Sequence, residues 1–178
     1  MNIIFHTAAA ISVTALLTDT NRLEHTNASK HIILTAVVAF VVGLISHAAL
    51  DYIPHCYPIN SKIDVAFGLA IILTLIYFSK KKYRIITALS FVGTIFPDLV
   101  DLSLPIINKQ LGLTLPTFNK VFPWHWREYS GSIYSGQCSI STLNHFLLLV
   151  AIAIICWGRR TDLKTIFEKR NSKQQLID

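Results

Sequence analysis

The 178-residue chain is 52% hydrophobic and only 15% charged, with a mean hydropathy of +0.49. These values exclude an ordinary soluble domain of this size and predict an integral membrane protein. The net charge of +6 does not indicate nucleic-acid binding. The basic residues fall in short clusters beside apolar runs, with no basic stripe interleaved with exposed aromatic residues.

Five apolar segments follow one another along the chain, each close to the length of about 20 residues that a helix needs to cross a bilayer. Because lipid leaves no backbone group unsatisfied, these segments are expected to be helices. The first and third are short, so they either span with local thinning of the bilayer or insert partway. The sequence predicts an all-α, polytopic transmembrane helical bundle of about five helices (four to six), at residues 3–17, 31–50, 63–78, 85–104 and 140–157.

A single integral membrane domain is predicted at residues 1–158, followed by a charged cytoplasmic tail at 159–178. Within the domain, residues 105–139 form a longer outer loop. This loop contains a mildly amphipathic stretch, INKQLGLTLPTF, that is expected to lie on the membrane surface. The first apolar segment contains His6 and has no basic region before it, so it is expected to be retained and not cleaved as a signal peptide.

The positive-inside rule orients the predicted bundle. Twelve of the 16 Lys and Arg residues fall on one side, including the KKKYR turn and the tail. This bias predicts that the C-terminus and the KKKYR turn lie in the cytoplasm and the N-terminus outside. The rule places no demand on His or Asp, yet most of them come to the outer side, which indicates one shared polar site: His6, His47, Asp51, His55, Asp64, Asp98, Asp101, His125 and His145.

The stretch GLISHAALDYIPHCYP, residues 43–58, is where an apolar run acquires ionisable side chains. His47 and Asp51 share one helix face, about 6 Å apart in rise, so one helix can offer both to a single metal ion. Pro54 is expected to end the helix near residue 52 and to let His55 turn back toward them. Ionisable groups inside a membrane segment are costly, and they therefore indicate function.

The fourth apolar segment ends in PDLVD, where Asp98 and Asp101 share a helix face. Two buried carboxylates repel each other unless they share a proton or a cation. A divalent, zinc-like ion held by imidazole and carboxylate is the simplest such cation. His6 and His145 are candidate further ligands, and Asp64 is a candidate ligand or a partner that orients a histidine.

These motifs resemble those of the bacterial membrane-bound metal-dependent hydrolases, small polytopic proteins with an N-terminal His, an HxxLD motif and a PDxxD motif. The resemblance covers roughly the first hundred residues, and Asp64 looks like a further shared acidic position. The chain lacks the HRGxTHS segment of the better-known branch. The resemblance implies a metal-dependent hydrolase of unnamed substrate in the bacterial cytoplasmic membrane. The matching residues are also the predicted metal ligands: His6, His47, Asp51, His55, Asp98 and Asp101.

The leading hypothesis is an integral membrane metal-dependent hydrolase, whose ion would activate water against a lipid-linked or periplasmic ester. An ion-coupled transporter is the first alternative, because His and Asp inside helices also build ion relays, although the cytoplasmic halves of the helices are nearly all aliphatic. The second alternative is a non-catalytic scaffold with a structural polar cluster. The expected partners are the lipid bilayer and a substrate, and a disulfide between Cys56 and Cys138 on the outer side remains open.

Overall fold

The computed structural model describes residues 1–25, 28–134 and 138–168. Over this part of the chain the protein is helical and forms no strand, which confirms the predicted all-α bundle. Its helices are α1 (Ile3–Leu17), α2 (Thr20–His25), α3 (Ala28–Tyr52), α4 (Ser61–Phe78), α5 (Arg84–Asp101), α6 (Ser103–Leu111), α7 (Ser139–Gly158) and α8 (Arg160–Phe167).

Three helices, α3, α4 and α7, are long and apolar enough to cross a membrane. Helices α5 and α6 meet at a bend of 60° and together make a fourth candidate span. Helix α1 is the fifth apolar helix, and its 15 residues are fewer than a bilayer core requires. The described chain is thus a membrane protein with three or four candidate spans. Of the predicted surface stretch INKQLGLTLPTF, only the first part is helical, as the end of α6.

Close packing of α3 on α5 depends on two glycines. A Cβ atom at Gly93 would collide with the carbonyl of Phe40, and one at Gly43 would lie within 3 Å of the carbonyl of Ser90. Small residues at such crossings let two helix backbones approach closely in a membrane. The consequence is that His47, one turn after Gly43, lies against the backbone next to Gly93.

Helix α1 is held at its N-terminus by a side chain from α4. The buried carboxylate of Asp64 accepts hydrogen bonds from the backbone N–H groups of Ile3, at 2.7 Å, and Ile4, at 3.0 Å. These are donors that a helix leaves unpaired in its first turn, and the negative charge also complements the helix dipole. Asp64 therefore fixes the helix that carries His6.

The opposite end of the bundle is closed by α2, α8 and the turn between α4 and α5. The buried carboxylate of Asp162 accepts hydrogen bonds from the backbone N–H and hydroxyl of Thr20, at 2.9 and 2.7 Å. The Lys80 N–H donates to the Ile166 carbonyl at 2.8 Å. The first part of the predicted tail is thus a helix packed beside the KKKYR turn, and the tail residues 169–178 lie outside the described residues.

The long loop after α6 is fastened to the other end of the bundle. A disulfide joins Cys56 to Cys138, which the sequence had left open. The backbone of His55 accepts from and donates to the segment around Gly131: His55 N–H bonds the Gly131 carbonyl and Ile133 N–H bonds the His55 carbonyl, both at 2.8 Å. These contacts bring the loop over the ends of α3 and α5.

Candidate metal centre

Four side chains from three parts of the chain meet at this end of the bundle. His47 and Asp51 come from α3, Asp98 from α5, and His125 from a short 3-10 turn, Pro123–His125, in the long loop. One potential ligand atom from each lies within 4.8 Å of all the others. Three of the residues are buried and Asp98 is partly exposed.

Five of the six distances among these atoms are close to the edges of a small coordination polyhedron. The His47 Nε2 lies 3.3 Å from Asp51 Oδ2 and 3.8 Å from Asp98 Oδ1. The His125 Nε2 lies 3.3 Å from each of the same two oxygens and 3.3 Å from the His47 Nε2. Ligands about 2.1 Å from a tetrahedral ion are about 3.4 Å apart, so this donor set fits one zinc-sized ion.

Each imidazole is held in one orientation by a hydrogen bond on its far nitrogen. The His47 Nδ1 lies 2.7 Å from the Thr94 carbonyl. A carbonyl only accepts, so Nδ1 carries the proton and the Nε2 lone pair of His47 points into the cluster. The His125 Nδ1 donates in the same way to Asp101 Oδ2 at 2.9 Å. This second layer of contacts is typical of metal-binding histidines.

Two lone pairs and two carboxylate oxygens therefore converge on one buried point, and this arrangement requires positive charge. The pKa of His125 reflects the requirement in the absence of an ion. Burial opposes a charge on the ring, but hydrogen bonds to Asp51, Asp98 and Asp101 outweigh burial and raise the pKa of His125 to about 9. A divalent ion would supply the same positive charge in place of that proton.

His6 borders the four-residue group from α1. Its ring is fully buried and stacks on His47 with 4.1 Å between ring centroids. Its Nε2 lies 3.2 Å from Asp51 Oδ1, an oxygen that also accepts a hydrogen bond from the Met1 amino group at 2.6 Å. Neither ring nitrogen of His6 makes a hydrogen bond of normal geometry within the described residues. His6 is thus a predicted ligand that contacts the group without belonging to it.

His55, also a predicted ligand, lies outside the group. Its Nδ1 donates to the Ile53 carbonyl at 2.8 Å, and its Nε2 lies 3.2 Å from the hydroxyls of both Tyr57 and Ser132. Pro54 ends α3 as expected, but the ring then turns toward the loop and not toward His47. Burial lowers the pKa of His55 to about 4, so the ring is neutral and fastens the loop.

The remaining candidates occupy supporting or separate positions. Asp101 stands behind His125, and its two oxygens also accept hydrogen bonds from the backbone N–H groups of Val121 and Phe122, at 2.8 and 3.0 Å. Asp64 caps α1. His145 is buried on α7, where it stacks on Phe5 at 4.1 Å between centroids. Asp101 therefore positions a candidate ligand, whereas Asp64 and His145 lie apart from the cluster.

His125 is the member of the cluster that sequence reasoning left out of the ligand set. The segment PWHW is typical of an aromatic anchor at the membrane surface, so its sequence does not indicate that the histidine is a metal ligand. The available signal was its predicted location, since His125 falls on the same outer side as His47, Asp51 and Asp98. The loop has no periodicity from which the distance to those residues could be derived.

A large cleft leads to the cluster. Its volume is about 1210 Å³, and Asp51, Asp98 and His125 are among the residues that line it. The rest of the wall combines apolar side chains of α4, α5 and α6 with polar residues from the loops. The candidate metal centre is therefore accessible to a ligand larger than water.

Comparison with models of protein families, with curated proteins and with solved structures finds no match for this chain. The resemblance to the membrane-bound hydrolases stays a prediction from short motifs. The functional interpretation accordingly depends on the chemistry of the site.

Proposed function

We propose that the protein is an integral membrane metal-dependent hydrolase of the family that its motifs resemble, acting on a lipid-linked ester. The observation that carries the proposal is the convergence of two imidazole Nε2 atoms and two carboxylate oxygens on one buried point that opens to a cleft. A structural polar cluster in a scaffold requires only that these atoms converge, and it does not require a cleft. Accessible metal sites are the kind that catalyse hydrolysis.

The residues that would hold the ion are His47, Asp51, Asp98 and His125. Their mixed nitrogen and oxygen donors suit a zinc-like ion. When bound, such an ion polarises an ester and lowers the pKa of a water molecule. Four protein ligands would leave a tetrahedral ion no position for water. Asp98, the partly exposed carboxylate that lines the cleft, is the ligand that would yield its position to the attacking water and take up the proton of that water.

The proposal also places the cluster on the outer side of a bacterial cytoplasmic membrane. Support comes from the distribution of charge, since the KKKYR turn and α8 lie together at the end of the bundle opposite the cluster. The positive-inside rule assigns that basic end to the cytoplasm. A substrate held in the outer leaflet would then meet the cleft.

The test combines metal analysis with hydrolysis by the detergent-purified full chain. We expect about one transition-metal ion per wild-type chain, and loss of the ion together with hydrolysis of ester-bearing lipids in His125→Gln and Asp98→Asn. The matched control is His145→Gln, a buried histidine outside the cluster, which keeps the ion. Absence of a stoichiometric metal from the wild type, or its retention by His125→Gln, would overturn the proposal. A bound metal with no hydrolysis of any lipid ester would favour a scaffold.

A further inference from the structure

We infer that the cleft binds a phospholipid-class amphiphile, with its phosphate at the cluster beside Lys120 and Arg127 and its hydrocarbon chain between α4 and the bent pair α5 and α6. The inference names a substrate class for the proposed function. Hydrolysis of the bound amphiphile rests on that function. Binding of the amphiphile can be measured without hydrolysis.

The size of the cleft and its apolar wall indicate a lipid chain. Its volume of about 1210 Å³ exceeds that of ordinary small-molecule sites, which run from about 300 to 1,000 Å³. The apolar side chains lie on three helices that form the wall: Val65 and Leu69 on α4, Ile95 and Leu99 on α5, and Ile106 and Ile107 on α6. A water-soluble substrate gains little from such a wall.

The position of this wall along the helices matches the depth of an acyl chain. Leu69 is eight residues into α4, which corresponds to about 12 Å along the helix from its first residue, Ser61. Charged and hydroxyl-bearing residues of the cleft lie near the ends of α4 and α5 and in the loops, Leu69 and Ile95 lie inward of those ends, and α6 continues the apolar wall beyond the end of α5. The cleft thus has the polar-to-apolar gradient of one lipid molecule in the outer leaflet.

Two cations at the mouth of the cleft favour a phosphate over a neutral ester. The Lys120 Nζ donates to the His125 carbonyl at 2.6 Å, which holds an ammonium group beside the candidate ligands. Arg127 is exposed, lines the cleft, and has no hydrogen-bond or ion-pair partner within residues 1–25, 28–134 and 138–168. A guanidinium matches phosphate with paired hydrogen bonds.

The charges at the cluster support the same ligand. Among the residues that line the cleft, the Met1 amino group, Lys120 and Arg127 balance the carboxylates of Asp51, Asp64 and Asp98. An ion held by Asp51 and Asp98 would leave a surplus of positive charge at the mouth, and an anionic headgroup neutralises it. The rim also carries a chain of hydroxyl groups, because Ser132 Oγ lies 2.8 Å from both the Tyr57 hydroxyl and Ser130 Oγ. These hydroxyls can bond the remaining oxygens of a headgroup.

The test measures binding by native mass spectrometry of the full chain, released from a non-ionic detergent. Three probes separate the features of the ligand: palmitoyl-lysophosphatidylglycerol, monopalmitoylglycerol, which has the same chain without phosphate, and glycerol phosphate, which has no chain. We expect the lysophospholipid to bind at least about tenfold more tightly than either of the others, since a charge-assisted hydrogen bond contributes about a factor of ten or more.

Paired variants test where the probe binds. Arg127→Gln is expected to weaken binding of the lysophospholipid about tenfold, whereas Arg160→Gln, at the basic end of the bundle, leaves it unchanged. Leu69→Trp should narrow the apolar part of the cleft and weaken binding. Its control is Leu73→Trp on the same helix, where the side chain is 67% exposed and does not line the cleft.

Several outcomes would overturn the inference. Equal binding of the neutral lipid, equal binding of glycerol phosphate, or the same affinity in Leu69→Trp and Leu73→Trp each contradicts it, whatever the chain hydrolyses. Selective binding of the lysophospholipid by a wild type that lacks metal and hydrolytic activity would support the inference while the proposed function fails. Measuring the metal content of every variant distinguishes failure of the inference from failure of the proposed function.

Discussion

The His125 Nδ1 donates a hydrogen bond to Asp101 Oδ2 at 2.9 Å, and this contact ties the long loop to the end of α5. The same carboxylate accepts two backbone N–H groups from the segment that leads to His125. One side chain thus fixes both the path of the loop and the direction of an imidazole. The fourth member of the cluster depends on a residue that does not belong to the cluster.

Substituting Asp101 is therefore expected to weaken metal binding without removing a ligand. Asp101→Asn keeps the size of the side chain but loses the charge that orients His125, and the affinity for zinc should fall about 10- to 100-fold. Competition with a chelator of known affinity measures the change. Asp19→Asn, at the opposite end of the bundle, is the control and should bind as the wild type does. Equal affinities in Asp101→Asn and wild type would show that His125 needs no such support.

Regular helix geometry explains which part of the site was predictable. His47 and Asp51 are four residues apart on one helix, so the sequence alone places them on one face. The motif PDLVD similarly locates Asp98 near the end of α5, the helix on which α3 packs. Two glycines, Gly43 and Gly93, then bring these helices together, and small residues in apolar segments are visible in a sequence.

The loop residues could not be predicted, because their positions depend on contacts between distant parts of the chain. His125 reaches the cluster in a loop whose backbone Asp101 binds and which a disulfide between Cys56 and Cys138 fastens further along the chain. For His55, the sequence correctly indicates that Pro54 ends the helix. Proline does not determine where the next residues turn, and pairing with Gly131 directs His55 toward the loop.

Gly93→Ala tests the close packing on which the site depends. The added methyl group meets the backbone of Phe40, which cannot move aside as a flexible side chain would. We expect α3 and α5 to separate, with a loss of about 1 to 3 kcal/mol in the free energy of unfolding and weaker metal binding. Thermal unfolding in detergent and zinc titration measure both effects. Gly158→Ala is the matched control, since nothing lies within 4 Å of its added Cβ, and a similar loss there would contradict the explanation.

The disulfide provides a test of orientation in cells. If Cys56 and Cys138 lie on the outer side, their bond is exposed to an oxidising environment and should persist. In a Cys156→Ser background, a membrane-impermeant maleimide applied to whole cells should label the chain only after reduction. A control carrying Cys56→Ser leaves Cys138 unpaired and should be labelled without reduction. Labelling of the background protein before reduction would show that Cys56 and Cys138 are not joined. Absence of labelling after reduction would show that they do not lie on the outer side. Either result would contradict the prediction.

Acid is expected to loosen the attachment of the long loop through His55. Burial lowers the pKa of this ring from its ordinary value of 6.5 to about 4, so the unfolded chain takes up a proton that the folded chain excludes. The neutral ring's contribution to stability is fully present above pH 6.5 and is lost as the pH falls toward 4. Allowing for screening by nearby solvent, we expect a loss of about 1 kcal/mol between pH 7 and pH 5. Thermal unfolding at the two pH values measures it, and His55→Gln, which does not titrate, should show a smaller acid-induced decrease in Tm. The same decrease in both proteins would assign the acid sensitivity to another group.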